Sequence, residues 1–313
     1  MLDIHTHLYF PQYDDDRKET IKRAFDSGIT MMISVSTDPN DHHKALAITE
    51  LDERIFASVG LHPHYFNDQL TNIKHHTTHN TEQLKKDIAE LRTLAENNPK
   101  IIAIGECGLD YFSHTDAPTT DEQKMWQKEG FRAQIRLAQE LRLPMIIHCR
   151  PAEAGRDAYE DLFEMLQFCH PELVSGSEFQ TKSRIAKEGM LKRVQHDTVF
   201  ILHCYMGDTE VTKKFLTLPD VYFSFTGNIT YPVKKTLKGT KNDIYETVKL
   251  IPLERMFMET DCPFLAPVPH RGKRNEPQFV VEVAAKIAEI QTHSLETVTK
   301  KMRENLDKVF FRT

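Results

Sequence analysis

The first seven residues contain the side chains that most directly predict chemistry. They begin with an apolar, β-rich run in which Asp3, His5 and His7 alternate with other residues. Side chains on an extended strand alternate between its faces, so these three project the same way. A lone histidine in an apolar segment is most often a hydrogen-bonded core residue. Two imidazoles on one face, directly after an aspartate, instead indicate half of a metal site.

Four later apolar runs also finish on side chains that bind metals. Glu106 ends the run at 101–106, His148 and His203 lie near the ends of 144–149 and 199–204, and Asp261 follows 255–260. Imidazole and carboxylate donors suit Zn, Mn, Co or Mg, and the sequence lacks the thiolate set of a closed structural zinc site. Five strand ends with such donors predict the metal centre of a hydrolase.

The elements that must position these side chains alternate along the chain. Apolar, β-rich runs occur near residues 2–7, 31–36, 55–61, 101–106, 144–149, 199–204, 221–227 and 255–260. Between them lie charged segments with helical periodicity at 15–25, 81–95, 121–141 and 157–168, and helices at 276–291 and 295–310 complete the chain. This alternation predicts an α/β fold, a (β/α)8 TIM-type barrel of parallel strands, with the metal site at its C-terminal face.

One segment interrupts this alternation. Residues 171–197 are polar and exceed the roughly two to six residues of a usual αβ loop. We therefore predict a single barrel domain over 1–313 with an insertion at about 171–197. Because the insertion follows a helix and precedes a strand, it should emerge at the N-terminal face, away from the metals.

Composition limits the setting in which the protein works. No apolar run approaches the ~18 residues of a membrane span, and no secretory signal is apparent. The five cysteines show no CxxC spacing, which favours a reducing cytoplasm. Strand parity predicts that Cys149 and Cys204 face the surrounding helices. A net charge of -6 argues against a protein that coats nucleic acid, so any polyanion must be bound locally.

An ordered set of motifs extends over nearly the whole chain. It comprises DIHTHL at 3–8, GLHPH at 60–64, GECGLDY at 105–111, IHCR at 147–150, HCYMG at 203–207, SFTG at 224–227, ETDCPFLAP at 259–267 and PHRGKRNEP at 269–277. This set resembles the TatD family of metal-dependent hydrolases in the amidohydrolase-like superfamily. The family usually has Phe and Ser where this chain has Tyr205 and Met206, and Met206 lacks the hydroxyl that could contact substrate.

The resemblance implies a site with two divalent metal ions, whether Mg, Mn, Zn or Co. One ion would be held by His5, His7 and Asp261. The other would be held by His148 and His203, and Glu106 would bridge both ions. Cations about 3.5–4 Å apart can share and acidify a water molecule and stabilise both oxygens of a phosphodiester displacement. Glu106 and Asp261 would be the catalytic carboxylates, with Asp261 both ligating a metal and accepting the proton of that water.

Substrate contacts are predicted around these ligands. The family resemblance implies that His62 and His64 lie near the substrate phosphate. Local positive charge suited to phosphate comes from Arg150, Arg271, Lys273 and Arg274. Asp3, next to the ligand pair, is predicted to orient an imidazole.

These expectations favour hydrolysis of phosphodiester bonds in DNA, as a 3′–5′ exonuclease acting on single-stranded ends. One alternative is a D-aminoacyl-tRNA deacylase or another ester or amide hydrolase, because the same activated water attacks a carbonyl carbon. A second alternative is a non-catalytic, metal-dependent binding protein in quality control. The expected partner is DNA or another nucleic acid, with no membrane and no obligate protein partner.

Overall fold

Eight parallel strands form the centre of the molecule. The computed structural model describes residues 1–72, 77–113, 118–152, 155–169, 198–232 and 244–311, with only the backbone for 68–72 and 77–80. The strands are β1 Leu2–Thr6, β2 Met31–Val35, β3 Ile55–Val59, β4 Ile101–Asp110, β5 Met145–Arg150, β6 Phe200–Leu202, β7 Val221–Phe225 and β8 Met256–Met258. They belong to one sheet whose order is that of the chain, β1 to β8.

The sheet closes almost completely on itself. Thr6 forms a parallel bridge with Cys262, just beyond β8. The backbone N–H of His7 donates to the Cys262 carbonyl at 2.9 Å, and that of Asp261 donates to the His5 carbonyl at 3.0 Å. These bonds join the first strand to the segment after the last one, so the predicted (β/α)8 barrel is confirmed.

Helices separate the strands and surround the barrel. They are α1 Arg17–Asp26, α2 Pro39–Thr49, α3 Pro63–Asn72, α4 Thr77–Asn97, α5 Asp121–Leu141, α6 Asp157–Gln167, α7 Thr209–Leu216, α8 Ile244–Leu250, α9 Val280–Gln291 and α10 Leu295–Phe310. Several begin at sequence-encoded caps: Thr120 and Gln123 form a capping box on α5, and Asp208 accepts two backbone N–H groups of α7. Among the described helices we find none with the length and apolar character that crossing a bilayer requires.

The core explains why the strands read as continuous apolar runs. Every residue of β1, β2, β4 and β7 is buried, because one face of each strand fills the barrel and the other packs against helices. At the C-terminal end of the barrel this burial includes polar groups. Asp3, His5 and Glu259 are fully buried, and His7, Glu106 and His203 nearly so.

Several predicted strands end at other residues than predicted, and three of these differences bear on the site. β6 ends at Leu202 and β8 at Met258, whereas β4 continues past Glu106 to Asp110. β4 can continue because Gly108 approaches β5 so closely that a Cβ there would lie 2.0 Å from the His148 carbonyl oxygen. The β4–β5 register shifts between Ile104 and Cys107, and such irregularities turn side chains to new directions. Glu106 lies within that shift.

The predicted insertion lies outside the described residues, since 170–197 are not described. We expect removal of residues 172–196 to leave kcat/KM within about twofold. The end of α6 at Gln167 and the start of β6 at Phe200 both belong to the N-terminal face of the barrel. Loop length costs only about 0.6 kcal/mol per doubling. The measurement is hydrolysis with matched circular dichroism. A folded but inactive truncation would contradict this placement.

Candidate metal centre

Glu106 lies at the centre of a cluster of imidazoles. Its Oε1 is 3.0 Å from Nδ1 of His148, 3.1 Å from Nε2 of His203 and 3.5 Å from Nε2 of His62. Its Oε2 is 3.4 Å from Nε2 of His5. The carboxylate comes from β4 and reaches side chains from β1, from β5 and from the segments after β3 and β6. One oxygen faces one half of the cluster and the other faces the second half, which is the placement a bridging ligand needs.

A second group of donors adjoins this cluster at the β1–β8 junction. The Nε2 atoms of His5 and His7 are 3.2 Å apart, and Nε2 of His7 lies 3.4 Å from Oδ1 of Asp261. Asp261 adopts a left-handed backbone conformation, with φ of 55°. Such a conformation is unfavourable for a residue other than glycine and is found most often at functional sites. This conformation places the Asp261 carboxylate beside the imidazoles, while the Asp261 backbone N–H remains hydrogen-bonded to β1.

The donor sets fit divalent metal ions. Ligand atoms of His5, His7 and Asp261 lie within 4.8 Å of one another, and so do those of His62, Glu106 and His148. All are imidazole nitrogens or carboxylate oxygens, as Zn, Mn, Co or Mg require. The structure thus brings together all six predicted ligands. It also adds His62, predicted as a phosphate contact, to the Glu106–His148 half.

The ionisable groups of the cluster set one another's pKa values. Burial alone would raise the pKa of Glu106, but the imidazoles of His203, His62 and His5 lower it well below its usual value. Burial alone would lower the pKa of His148, but hydrogen bonds with Asp110 and Glu106 raise it to about 9. Burial lowers the pKa of His62 to about 4. Glu106 therefore stays ionised although it is buried, because the imidazoles around it supply positive charge that a divalent ion would supply in their place.

Two carboxylates that sequence analysis gave no role hold the ligands in place. Glu259 is fully buried, and its Oε1 contacts Nδ1 of His203 at 3.1 Å and accepts the backbone N–H of Cys204 at 2.6 Å. Oδ2 of Asp110 contacts Nε2 of His148 at 3.0 Å and Nε2 of His64 at 3.1 Å. A carboxylate on one ring nitrogen orients the other toward a metal. Asp110 lies four residues beyond Glu106 on the same strand, so a longer predicted β4 would have placed Asp110 near the site.

Asp3 contacts a different element from the one predicted. Its Oδ1 accepts the backbone N–H of Thr260 at 2.9 Å, and its Oδ2 accepts the Thr260 hydroxyl at 2.5 Å. Burial raises the pKa of Asp3 to about 8. Asp3 also accepts the backbone N–H of His5 at 3.3 Å, so its described hydrogen bonds fix the backbone of β1 and the segment before Asp261, and none of them reaches an imidazole ring.

An open cleft of about 1280 Å³ leads to the metal centre. His7, His62, Glu106, His148, His203 and Asp261 line its floor, with His64, Asp110 and Arg150 beside them. Cys204 lines the cleft, and its thiol contacts Thr226 and Asn228, so the prediction that it faces the helices is wrong. Cys149 also borders the cleft, but burial and then the charges of Asp110 and of Asp157 and Asp161 on α6 raise its pKa, so its thiol lies toward that helix as predicted. Strand parity no longer applies beyond Leu202, and Cys204 has a φ of 45°.

The predicted basic residues separate into two groups. Arg150 is exposed at the cleft, with its guanidinium carbon 3.7 Å from the ring centroid of Phe112. Among the described residues, the lining of the cleft does not include Arg271, Lys273 or Arg274. The guanidinium of Arg274 donates to Asp16 at 2.6 and 2.8 Å and to Glu276 at 3.0 Å. It holds the pKa of Asp16 well below its usual value, and this ion pair occupies Arg274.

This difference gives a paired prediction. We expect Arg150→Ala to raise KM for a polyanionic substrate and to reduce the slope of log KM against log salt by about one, because one phosphate contact is lost. Arg274→Ala should leave that slope unchanged and lower Tm, because it breaks the link between Asp16 and Glu276. Steady-state kinetics from low to moderate salt and thermal melts would check both. Equal salt slopes for wild type and Arg150→Ala would exclude Arg150 from the substrate site.

Comparison with known proteins agrees with this geometry. A family model described as TatD related DNase matches residues 2–311. The chain belongs to the TatD family. A Bacillus subtilis (strain 168) relative named uncharacterized metal-dependent hydrolase YabD is 34% identical over 310 residues, covering 99% of this chain and 98% of its own. This TatD-family chain is therefore a metal-dependent hydrolase, acting on ester bonds.

Other TatD proteins extend the comparison. A Pantoea vagans (strain C9-1) protein named 3′-5′ ssDNA/RNA exonuclease TatD is 28% identical, and the match covers 99% of each chain. The crystal structure of YJJV, a TatD homologue from Escherichia coli K12, aligns with a TM-score of 0.73 at 22% identity, covering 100% of this chain and 98% of that one. The structural likeness supports the barrel fold.

Proposed function

We propose that this protein hydrolyses phosphodiester bonds at the 3′ end of single-stranded nucleic acid, with DNA as the main substrate. The observation that carries the proposal is the pair of adjoining donor groups in an open cleft, one containing Glu106 and the other in contact with it through His5. Two-metal sites of this kind suit in-line displacement at phosphorus. A relative named as a 3′-5′ ssDNA/RNA exonuclease supports the same reaction.

The proposed site holds two divalent ions. His5, His7 and Asp261 would bind one, while His148 and His203, together with His62, would bind the other. Glu106 would contact both. When bound, the ions supply Lewis-acid polarisation of the phosphoryl oxygens and neutralise the charge that develops there.

The side chains of the protein perform the remaining steps. Asp261 is ionised near neutral pH because its hydrogen bond with His7 lowers its pKa despite its burial. It can therefore accept a proton from the attacking water. Arg150, exposed at the cleft, would bind a neighbouring phosphate. His64, held by Asp110, lies at the rim where a leaving oxygen or a phosphate could reach it.

A substrate panel tests this proposal directly. The metal-supplemented protein would be incubated with single-stranded DNA labelled at the 5′ end, the same strand in a duplex, single-stranded RNA and D-aminoacyl-tRNA. We expect a ladder of 5′-labelled products shortened one nucleotide at a time, formed fastest from single-stranded DNA. Release of the amino acid with intact DNA would instead favour the deacylase. Binding without turnover of any substrate would favour the quality-control protein.

We further propose that residues 1–313 act as one barrel domain and that the protein works in the cytoplasm. All five cysteines are free thiols, as a reducing compartment would maintain. The described strands belong to a single sheet, as one barrel domain requires.

A further inference from the structure

The cleft has two walls of different chemistry, and the topology places them on opposite sides. Since the strands follow one another in order around the barrel, β8 and β1 lie across from β4 and β5. Phe10 and Phe264, which follow β1 and β8, line one wall. Arg150 and Phe112, at the ends of β5 and β4, line the other. The metal donors lie between these walls.

The wall beside β1 and β8 is aromatic. Phe10 stacks on the His7 ring with centroids 5.0 Å apart and an interplanar angle of 16°. Phe264 meets Phe10 edge to face at 5.9 Å and remains 48% exposed. An exposed phenyl ring is unfavourable in water, so a large ring at the mouth of a cleft suits a flat ligand.

The backbone of Phe264 is fixed with respect to the metal centre. Its backbone N–H donates to the Asp261 carbonyl at 2.9 Å. The buried Asn275 amide donates to the Phe264 carbonyl at 2.6 Å and to the Thr260 carbonyl at 2.9 Å. The same turn therefore sets the position of the ligand carboxylate and that of the exposed ring. A group stacked on Phe264 would therefore lie beside the metal centre.

The opposite wall carries the positive charge. The Arg150 guanidinium lies over the Phe112 ring, which leaves it oriented toward the cleft. The 3′-terminal nucleotide carries only the phosphate that is cleaved. The rest of the nucleic-acid strand carries the further phosphates. The charged wall thus suits the continuing chain. The aromatic wall suits the terminal nucleotide.

We propose that Phe264, backed by Phe10, forms a stacking subsite for the base of the 3′-terminal nucleotide. This inference rests on the proposed exonuclease function and adds the side chain that positions its substrate. Any base can stack on an aromatic ring, so the subsite recognises a nucleobase without selecting which base it is.

The test compares two oligonucleotides that differ only at the 3′ end, where one carries thymidine and the other an abasic tetrahydrofuran residue. The wild-type protein with metal should release the terminal thymidine nucleotide with a kcat/KM at least about tenfold higher than that for the abasic residue. Phe264→Leu, which keeps apolar bulk without the ring, should bring this ratio close to one. Phe264→Trp should preserve it.

Phe311→Leu is the matched control. This exposed ring contacts Phe56 at the start of β3, at the other end of the barrel, so its replacement should keep the wild-type ratio. A Phe264→Leu protein with matched circular dichroism that discriminates as strongly as the wild type would overturn the subsite. So would a wild-type ratio of one. Cleavage of neither oligonucleotide by the wild type would overturn the exonuclease function itself, and the subsite with it.

Discussion

Replacement of Glu106 by alanine should lower kcat by about 10³-fold or more while the barrel stays folded. This carboxylate has one oxygen near His148 and His203 and the other near His5, so it is the group that connects both halves of the metal centre. Its removal leaves each half short of a ligand and removes the charge that draws cations into the site. The measurement is single-turnover hydrolysis of 5′-labelled DNA at saturating metal.

Two further variants separate charge from bulk. Glu106→Gln keeps the side-chain volume but cannot bridge two cations, so it should lose as much activity as the alanine variant. Glu210→Ala removes an exposed carboxylate that pairs with Lys213 on α7, and its activity should match that of the wild type. Circular dichroism and Tm would establish folding in each case. More than about a tenth of wild-type activity in a metal-saturated Glu106→Ala protein would exclude the bridging role.

Chelation should abolish activity without unfolding the protein. The described core is formed by buried apolar residues on all eight strands, such as Ile4, Ile33, Ile104, Ile147 and Phe257. That core does not depend on metal, unlike that of a zinc finger. After treatment with EDTA and its removal, Mg, Mn, Co or Zn should restore hydrolysis without a refolding step. We expect the metal-free protein to melt at a lower temperature, because ions that bind only the native state stabilise it by mass action.

Metal content provides the control for this experiment. Elemental analysis of the reloaded protein should give about two ions per chain, and His148→Ala should reduce that number while Glu210→Ala should not. Loss of the far-ultraviolet circular dichroism signal on chelation at 25 °C would mean that the metals are structural. Full activity after complete metal removal would overturn the two-metal mechanism.

The sequence by itself determined the barrel and the identity of most donors. Parallel strands that are buried on both faces must read as apolar runs, and catalytic side chains in this fold follow those runs. Each predicted ligand lies at or near the end of an apolar run in the sequence, as Glu106 and His148 do, although β4 itself continues to Asp110. The TatD motifs then fixed the order of the donors, and the family model matches along nearly the same length of chain.

Only the tertiary structure decided which donors meet and which charges are free. The β4–β5 register shift and the left-handed residues Cys204 and Asp261 break the alternation of side chains on which parity arguments depend. Arg274 follows the metal loop in sequence, yet Asp16 pairs with it from 258 residues away. The local pattern of apolar and polar residues in the sequence predicts which face of a strand a side chain occupies. It carries no information on partners brought together by barrel closure, and such partners set the charge, protonation and access of the site.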